Sequence, residues 1–173
     1  MRTRTSRRLA SAGAMAAMAI LAAACGGGDD TRTVTAADYS FQNLPSEVDA
    51  GTTFELKNSS TKELHEMVVI RIPDSERRPV ADLVKLSEAE QEAIFGSSEP
   101  AMVLLAPPGG GEMIKAVGDG TLREKGRYAV VCFIPTGADP QAYLNAPPSN
   151  GPPNVPGGPP HAVQGMYGEI TVK

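Results

Sequence analysis

An all-β domain, folded as a β-sandwich with one short helical insertion, is what this sequence predicts, and three observations predict it. Short runs rich in threonine, valine and aromatic residues recur between clusters of glycine, proline and asparagine. Helix signals gather in one segment, residues 87–95. Behind an N-terminal export signal and a short polar tether, about 140 residues remain, which suits a single core and gives no reason to invoke a second.

The chain opens with Arg2, Arg4, Arg7 and Arg8, continues through an uncharged, alanine-rich run over residues 9–24, and reaches Leu21-Ala22-Ala23-Ala24-Cys25 followed by three glycines. The apolar run is too short for a comfortable membrane span. A basic start, a short apolar stretch and small residues leading into a cysteine resemble a bacterial lipoprotein signal, although leucine usually stands where Ala22 does. The expectation is therefore a signal peptide over residues 1–24, lipid attachment at Cys25, a flexible tether over 25–32 and a folded domain over 33–173. Ser6-Arg7-Arg8 also resembles a twin-arginine signal, which implies export in the folded state. The resulting location is the cell envelope, outside the cytoplasmic membrane (periplasmic), with the lipidated N-terminus as the membrane contact.

Removing residues 1–24 removes four arginines and no acids, so the 16 basic and 20 acidic residues of the whole chain become 12 and 20, a formal charge of −8. Such acidity excludes nucleic acid as a natural partner and disfavours adhesion of the folded surface to anionic lipid, which leaves acyl chains as the anchor. With Cys25 acylated, Cys132 is the remaining thiol of an exported protein with no intrachain partner for a disulfide.

In order along the domain, strands are expected over residues 33–41 and 51–58, broken by Leu44-Pro45 and turning at Asn58-Ser59-Ser60. Residues 64–72 form the longest apolar strand; a period of two puts His65, Met67 and Val69 on one face and Val68 and Ile70 on the other, both apolar. Something must cover the second face. The candidate is the helix at 87–95, opened by a Ser87/Glu90 capping box and extended upstream through 81–86, with Glu88, Glu90 and Glu92 as a solvated face. Residues 101–111 then run as a connection through Pro107-Pro108 and a triple glycine. Strands resume over 112–117, turn at Gly118-Asp119-Gly120, return over 126–134 and close over 167–172. Residues 135–160 hold proline, glycine and asparagine with few aliphatics, a composition that excludes regular strands or helices of any length and predicts a long surface loop.

The mature domain contains two histidines, one at the start of a strand and one just before another, beside the free cysteine and a methionine; together they suggest a metal site. GRYAVVC at 126–132 and PHAVQGMYGEITV at 160–172 closely resemble the C-terminal half of plastocyanin-like cupredoxins, the blue copper family. Leu44-Pro45 to Val48, Gly51 to Phe54 and Lys57-Asn58 through His65 resemble the family's strands before its first histidine. The similarity covers roughly residues 33–72 and 125–173.

This resemblance implies a cupredoxin-like Greek-key β-sandwich with the helical middle as an insertion, and a single type 1 copper ion held by His65, Cys132 and His161 with Met166 as a weak axial ligand. Two imidazoles, a thiolate and a distant thioether suit both Cu(I) and Cu(II), so little moves when an electron passes. It implies no catalysis: the donors are soft, and no positioned water or general base accompanies them. The implied function is electron transfer, with His161 as the route to a redox protein partner. A metal-free binding module, copper storage or delivery, and zinc at a His2Cys site remain open from the residues. A closed, buried donor set marks electron transfer, accessible methionines mark delivery, and diverging ligands mark the empty module.

Two features depart from the family pattern. Twenty-eight residues separate Cys132 from His161 where only a few are usual, and the longer closure costs roughly 1.7 kcal/mol. Metal binding can return on the order of 10 kcal/mol. Glu66 stands where many cupredoxins carry an asparagine that ties the ligand segments together. Met67, Met102 and Met113 read as packing residues, and Tyr128 as a structural tyrosine near a strand corner.

Overall fold

The computed structural model describes residues 30–96, 98–147 and 151–173. Signal residues 1–24 and Cys25 lie outside the described residues. The described chain forms two packed sheets, as expected of a β-sandwich. In one, β2 (Ser40–Gln42), β1 (Thr31–Ala37), β4 (Thr52–Asn58) and β8 (Thr121–Leu122) lie side by side. In the other the order is β3 (Glu47–Val48), β10 (Tyr167–Val172), β9 (Gly126–Val131), β5 (His65–Arg71), β6 (Met102–Ala106) and β7 (Ile114–Val117). The chain crosses between the layers repeatedly, and β9 sits between β5 and β10 rather than beside β8, the non-sequential pairing that a Greek key produces.

β1 begins at Thr31, two residues inside the expected tether. The preceding residue anchors it: the Asp30 carbonyl accepts from Thr53 N at 2.8 Å and its carboxylate from Thr52 Oγ1 at 3.1 Å. The first predicted strand is two strands, because Asp38-Tyr39 turns the chain with Tyr39 at φ 60° before β2 folds back on β1. Residues 101–111, expected as a connection, contain β6, an interior strand between β5 and β7. Its apolar run Met-Val-Leu-Leu-Ala alternates buried and half-buried positions and stops at Pro107, which is the signal a strand leaves.

The long strand β5 is buried at six of its seven positions. Met67 and Val69 enter the main core between the sheets with Phe54, Leu104, Val130 and Ile170. On the outer side, Ile72 beyond β5 joins Ala129 and Val131 of β9 in a second cluster, covered by Val80 and Leu83 of α1 (Val80–Leu83). α2 (Glu88–Phe95) starts at Ser87 with the expected capping box, Ser87 N donating to Glu90 Oε2 at 3.0 Å. The two helices are separate, with a break at Val84–Leu86 in place of the expected upstream extension, and α2 contributes only half-buried Ile94 and Phe95 to the cover.

Arg127 fastens this insertion to the sandwich. Its guanidinium pairs with Glu169 on β10 at 2.8 and 2.9 Å and donates to the carbonyls of Glu76 and Arg78 at 2.9 and 3.1 Å, just ahead of α1. The pair is about a quarter to a third exposed, so Arg127→Ala is expected to cost about 1 kcal/mol. Urea denaturation monitored by circular dichroism checks this. Tyr128 is buried and donates from its hydroxyl to the Glu124 carbonyl at 2.8 Å, a structural corner as the sequence suggested.

Candidate metal centre

Antiparallel register decides where the donor residues meet. β9 runs against both β5 and β10, so the start of β5, the end of β9 and the start of β10 share one end of the six-stranded sheet. His65 opens β5, Cys132 follows β9 and Met166 precedes β10. His161 stands at the start of a 3₁₀ turn, His161–Gln164, that leads back into the sheet.

The 28-residue separation closes through backbone pairing. Ala162 N donates to the Cys132 carbonyl at 2.9 Å, His161 N to the Ile134 carbonyl at 3.0 Å, and Thr136 N to the Pro159 carbonyl at 3.0 Å, with Pro135 and Pro160 bridged between them. The excursion therefore leaves and returns at neighbouring points, and its closure entropy is offset by a short ladder. Cys132 N bonds the Met166 carbonyl at 3.2 Å, and Met166 N the His161 carbonyl at 3.0 Å, which stitches all three segments together.

Within the excursion lies α3 (Pro140–Leu144), a short helix where none was expected. Its start follows local rules: Asp139 caps Ala142 N at 2.7 Å, and Pro140 takes the first helical position. Tyr143 turns inward, is buried, and donates to Glu66 Oε2 at 3.0 Å. The other Glu66 oxygen accepts from Phe133 N at 3.0 Å. A carboxylate thus makes the tie between the ligand segments and extends it to the excursion. Burial raises the Glu66 carboxyl to about 7, and the Phe133 and Tyr143 bonds pull against that rise.

Three of the four expected ligands bring donor atoms to one point. His65 Nδ1 lies 3.2 Å from His161 Nδ1, Cys132 Sγ lies 3.3 Å from the same nitrogen, and the three donor atoms fall within 4.8 Å of one another. All three residues have no solvent exposure. Met166 is equally buried, and its backbone bonds place it beside Cys132 and His161. Met67 and Met102 are buried in the core, and Met113 packs against it.

The donor set fits a metal. Spacings of 3.2 and 3.3 Å are spanned by one ion with bonds of about 2.0 Å to nitrogen and 2.3 Å to thiolate. Both Nε2 atoms are buried without an aligned hydrogen-bond partner, and both rings turn Nδ1 towards the shared point. Burial lowers the His65 imidazole to about 4, with the charge of His161 adding to the effect and Asp38 opposing it. Burial also lowers His161, against the neighbouring Glu63 carboxylate, and pushes the Cys132 thiol far above its ordinary range. Near neutral pH His65 is therefore neutral, without the second ring proton that would compete with a metal.

His161 offers no exposed edge. The Tyr39 ring stands edge-on to it at 5.1 Å, and Glu63 Oε2 lies 3.4 Å from its Nε2, outside hydrogen-bond alignment. Sequence reasoning missed Tyr39, Glu63 and Tyr143. Their available signals were the acids flanking the histidine in Glu63-Leu64-His65-Glu66 and the single aromatic residue within 135–160.

No protein-family profile matches the chain, and no curated protein matches it. Among solved structures, it is similar to dithionite-reduced auracyanin from Roseiflexus castenholzii, with 20% identity over 85% of this chain and 99% of that one at a TM-score of 0.42. Auracyanin A, a "blue" copper protein from Chloroflexus aurantiacus, gives 18% identity over 84% and 100% at 0.43. Reduced rusticyanin gives 15% over 84% and 81% at 0.40.

Proposed function

We propose that this chain is a cupredoxin-like type 1 copper protein that carries electrons outside the cytoplasmic membrane, anchored by a lipid at Cys25. One copper ion would be held by His65, Cys132 and His161, with Met166 as the weak axial ligand. The observation that carries the reading is the convergence of two imidazole nitrogens and one thiol within 4.8 Å at a buried point. Bound copper would supply one-electron exchange between Cu(I) and Cu(II). The chain's contribution is to hold soft donors rigidly, exclude water and keep the rings oriented, so that little rearranges as charge changes.

Specific observations favour this over its rivals. A delivery protein would present sulfur to solvent, whereas Cys132, Met67, Met102 and Met166 are all buried. An empty module would let its donor side chains diverge. The membrane anchor and the cell-envelope location rest on the N-terminal sequence pattern, and the partner would be a redox protein meeting the surface near Tyr39 or the exposed Val163.

The deciding test is a visible absorption spectrum after adding Cu(II). An intense thiolate-to-copper band is expected; absence of a band, with no copper retained after desalting, would sink the copper reading. Ligation at Sγ must displace the thiol proton, while His65, already neutral above about pH 5, adds no further competition. Copper affinity should therefore rise with pH, about tenfold per unit for one released proton. Competitive titration at two pH values between 6 and 8 checks the slope.

A further inference from the structure

The far side of His161 is built as deliberately as its near side. Glu63 stands two residues ahead of His65, in a turn whose backbone is fixed at both ends: Glu63 N donates to Ser60 Oγ at 3.0 Å, and the Glu63 carbonyl accepts from Asn58 Nδ2 at 2.9 Å. Its carboxylate reaches under the excursion, where Oε2 accepts from Gly137 N at 3.2 Å and lies 3.4 Å from the buried Nε2 of His161. The side chain is 18% exposed, and that Nε2 has no hydrogen-bond partner.

An imidazole that gives its Nδ1 lone pair to a metal carries its proton on Nε2 and needs an acceptor there. We propose that Glu63 is a positioning residue for His161, its carboxylate taking the Nε2–H and so setting the tautomer, the ring orientation and the donor strength of Nδ1. This rests on the copper reading above for its purpose, but the approach of Glu63 to Nε2 is present without a metal as well. With the proton held at Nε2, His161 Nδ1 is left as the acceptor facing both His65 Nδ1 and Cys132 Sγ, in agreement with their 3.2 and 3.3 Å approaches. Other groups around the ring do not take this part: Tyr39 meets it in a T-shaped ring contact, and Asp38 acts on His161 through its charge from the exposed β1–β2 turn. A carboxylate behind a ligand histidine also favours the more highly charged metal state.

The test compares the full-length parent with Glu63→Leu, which removes the acceptor, and Glu63→Gln, which keeps an acceptor and removes the charge. Two-bond proton–nitrogen NMR of the metal-free chain reports the His161 tautomer, with His65 as the internal reference. The parent and Glu63→Gln are expected to hold Nε2–H, and Glu63→Leu to shift towards Nδ1–H. With Cu(II), Glu63→Leu is expected to bind about 10–100-fold more weakly, and both variants to show a raised reduction potential. An unchanged His161 tautomer in Glu63→Leu overturns the proposal. Should the parent bind no copper, the copper reading fails and the metal-free tautomer still decides the Glu63–His161 pairing.

Discussion

Cys132→Ser is expected to abolish the visible band that Cu(II) induces in the parent and to leave the metal-free fold in place. Serine is close in size, and its hydroxyl can bond His161 Nδ1 across the 3.3 Å gap that Sγ now spans. The soft anionic donor is lost, which the two imidazoles and a thioether cannot replace. Copper affinity should fall on the order of 100-fold or more, because disturbing even an outer partner of a ligand costs about 10–100-fold. Parallel absorption and copper-retention measurements check both parts. A band that survives in the serine variant would place the coloured site elsewhere in the chain.

Glu66→Ala is expected to produce a large loss of stability. The substitution leaves Phe133 N–H and the Tyr143 hydroxyl without their acceptor, and each buried orphan costs about 1–3 kcal/mol. A total of about 2–6 kcal/mol follows, which lowers Tm by on the order of 10 °C in a domain of this size. Glu66→Gln keeps an oxygen for Phe133 N–H and an amide for the Tyr143 hydroxyl, and is expected to recover most of the loss. Calorimetry on the metal-free protein separates this tie from any effect of bound metal. Equal Tm values for the alanine variant and the parent would show that the excursion is held by its paired base alone.

Much of this architecture was legible because it is local. The alternation in His65–Arg71, the Ser87/Glu90 capping box and the closing strand Tyr167–Val172 are written in periods and spacings that the chain obeys wherever it folds. The donor residues were legible through their rarity and through the family resemblance of the two segments that carry them. Less visible were features made by distant partners. β6 is a short apolar run that looks like a connection until β5 and β7 flank it. Tyr143 meets Glu66 across 77 positions of sequence, and the cover over His161 comes from a turn near residue 39 and an acid at 63. No local pattern announces such meetings, because their energetic reason exists only once both sheets have formed.

The pairing at the base of the 135–160 excursion makes distance along the chain irrelevant to distance in space at the point where precision matters most. Cys132 and His161 are registered by the backbone bonds between 132–136 and 158–162, and between those ends the excursion is held inward at Gly137 and Tyr143. The arrangement works like a socket: with the paired base and the contacts of Gly137 and Tyr143 kept, the rest of the excursion can change without moving a donor atom. A lineage carrying such a socket can change the face it shows to other molecules while the centre beneath is inherited intact.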